Sequence, residues 1–115
     1  MKIAFSFATY RFTASLFANP AAQELVMMLP LDLSIEDYGS NEKIAYLPAK
    51  LKAKAEPFDN PRIGDLCYYM PWGNLVFYYD SYRYDPGLLR LGRLDDGIQP
   101  LMTRGTHPLR AEKLP

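Results

Sequence analysis

GDLCYYMPWGNLVFYYD, residues Gly64 to Asp80, is the stretch whose reading decides the fold. It holds the only cysteine, the only tryptophan and four of the nine tyrosines. Two β-forming runs, Leu66–Met70 and Leu75–Tyr79, flank a Pro71-Trp72-Gly73-Asn74 turn. Proline presets φ at the start of such a turn, and glycine and asparagine tolerate positive φ, so the pattern predicts a hairpin. Period-two alternation puts Leu66, Tyr68 and Met70 on one face of the first strand, against Cys67 and Tyr69. On the second strand Leu75, Phe77 and Tyr79 oppose Val76 and Tyr78. Both faces are apolar, so one can fill a barrel while the other meets a helix, a ligand or a second subunit.

Working outward, residues 2–8 alternate as Ile3, Phe5 and Phe7 against Lys2, Ala4 and Ser6, and residues 11–17 alternate again. Together they predict an opening hairpin turning near Thr9-Tyr10. Asn19-Pro20 predicts a helix start, because the asparagine oxygen accepts an unpaired backbone N–H and proline suits the first helical position. Ala22, Leu25, Val26 and Leu29 give that helix, near residues 20–29, an apolar face, and Pro30 stops it. Leu31–Glu36 predicts a third strand and Lys43–Leu47 a short fourth one. The stretch 49–62 carries Lys50, Lys52 and Lys54 at alternate positions, a solvated face on either an edge strand or a helical turn. Ser81–Gly87 predicts a loop, Leu88–Leu94 a strand, and Ile98, Leu101 and Met102 one helical turn against the barrel end. The 103–115 segment is polar and contains Pro108, and is expected to be a frayed tail outside a 1–102 domain. Strands without βαβ alternation, plus one capped helix, predict a mainly β fold, a closed antiparallel barrel with the helix at one end.

At 115 residues the chain forms one domain large enough to bury a core without a disulfide or metal. Thirteen basic residues balance thirteen acidic ones, which removes the whole-protein electrostatic argument for nucleic acid or an anionic membrane. Arg11 interrupts the N-terminal apolar run, which argues against a signal peptide, and no run reaches the ~18 apolar residues of a membrane span. A cytoplasmic protein is the expectation.

Catalytic chemistry is not indicated. Cys67 has no histidine in the expected barrel to activate it and reads as a buried structural thiol. His107 falls in the polar tail. Glu36-Asp37 and Asp95-Asp96 suit turns, and no cluster suggests a metal. No glycine-rich phosphate loop precedes a helix, so no cofactor is expected.

The segments LFANPAAQELVMMLPL, IEDYGSNEKIAYLP, GDLCYYMPWGNLVFYY and GLLRLGRLDDGI make the chain resemble the small bacterial cyclophilin-like proteins, from about Lys2 to Leu101. The resemblance implies an antiparallel barrel of about eight strands with a helix closing an end. True cyclophilins are peptidyl-prolyl isomerases whose arginine, in a Phe-His-Arg-like motif, lies on a strand beside an apolar groove. Where that strand should fall this chain has Lys43-Ile44-Ala45-Tyr46-Leu47-Pro48, with no arginine to stabilise the twisting amide.

The expected function is therefore a binding or interaction module without isomerase activity; the alternative is a weak or divergent isomerase. Its expected site is an apolar aromatic groove near Tyr46, Tyr69 and Trp72 for a peptide or small apolar ligand. Arg90 and Arg93, three apart on one strand, are expected on opposite faces. One would pair with a carboxylate such as Asp95 or Glu42, and the other, with Arg90 the candidate, would reach the groove. A homodimer built on the aromatic face is compatible with either reading.

Overall fold

The computed structural model describes residues 1–115. The order is β1 (Lys2–Phe7), β2 (Tyr10–Leu16), α1 (Pro20–Met28), β3 (Leu31–Tyr38), β4 (Glu42–Tyr46), β5 (Asp65–Tyr69), β6 (Asn74–Tyr78) and β7 (Leu88–Leu94). A 3₁₀ turn over Gln99–Met102 and β8 (His107–Leu114) complete the chain. The strands close an antiparallel barrel in the order β1-β2-β7-β5-β6-β4-β3-β8, as the alternation predicts.

Inside, the first hairpin supplies Phe5, Phe7 and Phe12, and β6 supplies Phe77. Phe5 packs edge-on to Phe77 at 5.1 Å and stacks on Phe12 at 5.3 Å. Such offset and perpendicular contacts let the ring quadrupoles attract while the rings fill a tapering interior. The inner face of the β5–β6 hairpin is the one its alternation gives: Leu66, Tyr68, Leu75, Phe77 and Tyr79 join this core.

Helix α1 is held where the Asn19-Pro20 pair predicts. The Asn19 Oδ1 accepts the Ala22 N–H at 2.9 Å, and its Nδ2 donates to the Arg90 carbonyl at 3.1 Å. One side chain thus caps the helix and moors it to β7. Ala21, Ala22 and Leu25 are buried, with Val26 and Leu29 packed at the margin of the core. The 49–62 stretch is neither strand nor helix. Instead, the Glu24 carboxylate on α1 accepts the Lys52 and Ala53 N–H groups at 2.7 and 2.8 Å, and the Tyr68 hydroxyl accepts the Leu51 N–H. Leu51 is buried by this arrangement, and the three lysines stay exposed.

Two expectations are corrected. The 103–115 segment is not a frayed tail, and the domain does not end at residue 102. Strand β8 pairs along β1 from Lys2↔Leu114 to Phe7↔Leu109, and with β3 from Leu31↔Ala111 to Ile35↔His107. Leu109 and Ala111 face the core while Pro108, Arg110 and Glu112 face water, so polarity here marks a half-wet strand. Pro108 stands one position past the last β1 pair, where a strand tolerates it. Asp37 steadies the approach to β8: burial disfavours its charge, but hydrogen bonds from Lys43 Nζ and the Gly105 N–H, and the Lys43 and Arg104 charges, hold it below the usual carboxylate range.

The second correction concerns Arg90 and Arg93, which lie on the same outer face. Between β5 and β7 the register shifts, with Leu66 opposite Gly92 but Cys67 opposite Arg90, leaving Leu91 as an extra residue. Such a bulge resets the alternation. Both arginines consequently turn to one carboxylate, Asp65, instead of Asp95 or Glu42. Asp95 takes the Thr13 and Ser15 hydroxyls and Lys2. Gly92 also lets β2 approach closely, because a Cβ there would overlap the Ser15 carbonyl oxygen and stand 2.9 Å from Leu16 Cα.

Truncation after Thr106 is expected to abolish cooperative thermal unfolding, since β1 and β3 lose their shared partner; a truncated chain that melts like the whole would restore the tail reading. Gly92→Ala is expected to cost about 1–3 kcal/mol of stability. A calorimetric midpoint unchanged by that substitution would contradict the close approach of β2 to β7.

Candidate functional site

The outer face of the β5–β6 hairpin carries the second apolar cluster, Cys67, Val76 and Tyr78 with Ile44 and Leu88. Part of it is covered from within the chain, by Phe58 and Tyr82 from the two flanking loops. The rest opens at the hairpin tip.

There the turn brings Tyr69 and Trp72 together. The Gly73 and Trp72 N–H groups both donate to the Tyr69 carbonyl, at 2.9 and 3.3 Å, and Gly73 takes a positive φ of 73° that suits glycine. The tight coil swings the Trp72 indole outward, its ring perpendicular to Tyr69 at 5.5 Å. Tyr38 arrives from the end of β3, perpendicular to Trp72 at 5.1 Å. It is positioned by the Gly39 turn, which makes Tyr38 and Glu42 a direct cross-strand pair.

These rings border a cavity of about 280 Å³. Its apolar lining is Val76, Tyr78 and Leu88, and Asn41, Arg83 and Asp85 also line it. Tyr78 lies flat on Tyr82 at 3.6 Å, and the Tyr82 hydroxyl donates to Asp65 at 2.7 Å. Burial, followed by the nearby Cys67 sulfur and the bond to Asp65, raises the Tyr82 phenol above the usual tyrosine range. Burial and then the charge of Glu42 raise Tyr78 likewise.

The cavity also holds polar groups that the expected apolar groove did not include. Glu42 sits opposite Tyr78 across β4 and β6, and burial raises its carboxyl despite the opposing hydrogen bond from Tyr78. None of the ion pairs of the protein includes Glu42. Asn74 is 1% exposed; its Nδ2 donates to the Leu75 carbonyl at 3.2 Å, and its Oδ1 has no partner.

Of the four residues expected at the groove, Tyr69 and Trp72 share this cavity, while Tyr46 and Arg90 do not line it. Tyr46 is half-exposed on β4, opposite Asn74. Arg90 lines a separate cavity of about 180 Å³ near the start of α1. Its guanidinium lies 4.5 Å from the Phe58 ring centre and donates to the Asp59 and Asn60 carbonyls. Arg90 thereby fastens the 56–62 loop to the barrel. Lys43, on the strand where the cyclophilin arginine was sought, points inward, fully buried, with its ammonium 2.6 Å from Asp37.

The profile of the Cyclophilin-like family matches residues 5–111. The chain belongs to that family. Among solved structures, this cyclophilin-like barrel is similar to the solution structure of a hypothetical protein from Archaeoglobus fulgidus, with a TM-score of 0.77. The alignment covers 99% of this chain and 95% of that one at 13% identity, a likeness of fold alone. No curated protein matches the sequence. No helix of the cyclophilin-like chain is long and apolar enough to cross a membrane.

Tyr38, Glu42 and Asn74 escaped the sequence reading as site residues. Their signal is weak: Tyr38 lies in a stretch that reads as loop, and its neighbours follow only from the β3–β4 and β4–β6 registers. Cys67 is fully buried, and burial first, with the Tyr82 bond opposing it, pushes its thiol up to about 12. At pH 8 the thiol is then overwhelmingly protonated. Iodoacetamide is expected to label Cys67 only after denaturation; rapid labelling of the folded protein at that pH would mean the thiol is accessible.

Proposed function

We propose that this cyclophilin-like protein is a binding module that receives a small ligand or one side chain of a peptide between Tyr38, Tyr69 and Trp72. The observation that carries this reading is the set of three rings, each perpendicular to its neighbour, around a cavity of about 280 Å³ on the outer face of the hairpin. Ligand pockets begin at roughly 300 Å³, so the space suits a fragment or a single side chain. Aromatic walls give large contact area at small entropic cost. The low reactivity implied for Cys67 favours binding over covalent chemistry.

Weak isomerase activity is the second reading, and Arg83 favours it. This arginine lines the aromatic cavity, as a groove that twists a prolyl amide would require. It projects from an exposed loop and not from a strand, an imprecise place for transition-state stabilisation.

Trp72 is the only tryptophan, so intrinsic fluorescence reports the cavity directly. Titration with a fragment set of aromatic, aliphatic, prolyl and cationic compounds is expected to shift Trp72 emission and the amide resonances of Tyr38, Tyr69 and Gly73. Trp72→Ala is expected to weaken binding at least tenfold, about 1.4 kcal/mol, without changing the thermal midpoint. Resonance shifts scattered over the barrel, or none, would sink the binding reading. In a coupled proline-peptide assay the expected rate is the uncatalysed one; turnover that disappears in Arg83→Ala would establish the isomerase reading instead.

A further inference from the structure

Two acceptors at the cavity stand out. The side-chain amides there have spent their donors, Asn41 Nδ2 on the Ser81 carbonyl and Asn74 Nδ2 on the Leu75 carbonyl, and Arg83, also at the cavity, pairs with neither acceptor. Asn74 Oδ1 is buried without a partner, its Nδ2 being the end that donates to Leu75. Glu42 stands opposite Tyr78 across β4 and β6 and takes part in no ion pair. A buried acceptor left unmade is costly, and a half-buried carboxylate without a counter-charge more so. Around these groups stand three aromatic rings, whose negative faces attract cations.

We infer that this cavity recognises an organic cation bearing N–H donors, with a guanidinium as the group that fits it. The inference rests on the binding reading above and names its ligand class. A neutral apolar ligand would cover Glu42 without compensating it, and an anion would be repelled by it. A quaternary ammonium would satisfy the rings but bring no donor to the acceptors. A guanidinium does both, because it is planar, stacks on aromatic faces, is weakly hydrated and carries five N–H donors in a fixed fork. The space takes such a head with a short alkyl stem. Arg83 bears on the same point from the opposite side. It is exposed and forms no ion pair with Glu42 or Asp85. Its charge lies at the cavity and opposes an incoming cation.

The test compares butylguanidinium, its neutral isostere butylurea and tetramethylammonium, read by Trp72 emission and by amide shifts. Butylguanidinium is expected to bind at least tenfold more tightly than either. Glu42→Gln, checked for an unchanged thermal midpoint, is expected to bring the guanidinium-to-urea ratio close to one. Arg83→Ala is expected to strengthen guanidinium binding at least twofold and leave butylurea unchanged. An acetylated and amidated Gly-Arg-Gly peptide separates the sources: tighter binding than butylguanidinium assigns an arginine side chain, equal or weaker binding a free guanidine, and both support the inference. Equal affinity of wild type for butylguanidinium and butylurea overturns it while leaving the binding reading standing, and so does tetramethylammonium matching butylguanidinium. No response to any probe overturns both. The wild-type ratio requires no variant and decides the inference by itself.

Discussion

A single carboxylate, Asp65, holds the outer half of this barrel in place. It is fully buried, and burying an ion costs several kcal/mol unless partners replace its water. Here Arg93 Nε donates to it at 3.0 Å, the Tyr82 hydroxyl at 2.7 Å and the Arg62 N–H at 2.9 Å, with Arg90 at 3.6 Å. Each partner brings a different piece of chain. The arginines come from β7 and reach the same side only because of the bulge at Leu91. Arg62 ends the long loop after β4, and Tyr82 belongs to the loop after β6. Through Tyr82, stacked on Tyr78, the carboxylate also sets the inner wall of the aromatic cavity.

The two faces of the β5–β6 hairpin are therefore apolar for different reasons. One fills the barrel beside Phe5 and Phe12. The other is roofed by the chain's own loops at the Phe58 end and left open at the Trp72 end. That asymmetry separates the two arginine-bearing regions: Arg90 is occupied as a fastener among Phe17, Phe58 and two carbonyls, while Arg83 stays free at the open end. The open end is lined by aromatic rings together with Glu42, Arg83 and Asp85.

Where local chemistry decides, the sequence was a good guide. The β5–β6 alternation, the Asn19 cap and the Leu88–Leu94 strand depend on neighbours a few residues away, and they stand as expected. The last strand is hidden in the sequence because its outward residues are polar and Pro108 reads as a strand breaker, so only Leu109 and Ala111 carry the core signal. A period-two count puts Arg90 and Arg93 on opposite faces, because a bulge is invisible to it. The candidate site was half legible: Tyr69 and Trp72 share a turn, but Tyr38, Glu42 and Asn74 meet them only through cross-strand registers that no short window contains. Asp65 carries no signal in the sequence, since a buried carboxylate announces itself only by its distant partners.

The place of β8 has a consequence for how the molecule is made. It inserts between β1 and β3, and its pair Lys2↔Leu114 joins nearly the two ends of the sequence. Until β8 is in place, β1 and β3 each present an unpaired edge, the kind of surface on which strands of other chains add. Closure by the most distant contact makes folding slow relative to hairpin formation, because the loop-closure entropy is met last. Without β8 the barrel is thus an open sheet, and its protection from aggregation in that state rests on the charged side chains along those edges, among them Lys2 and Asp32.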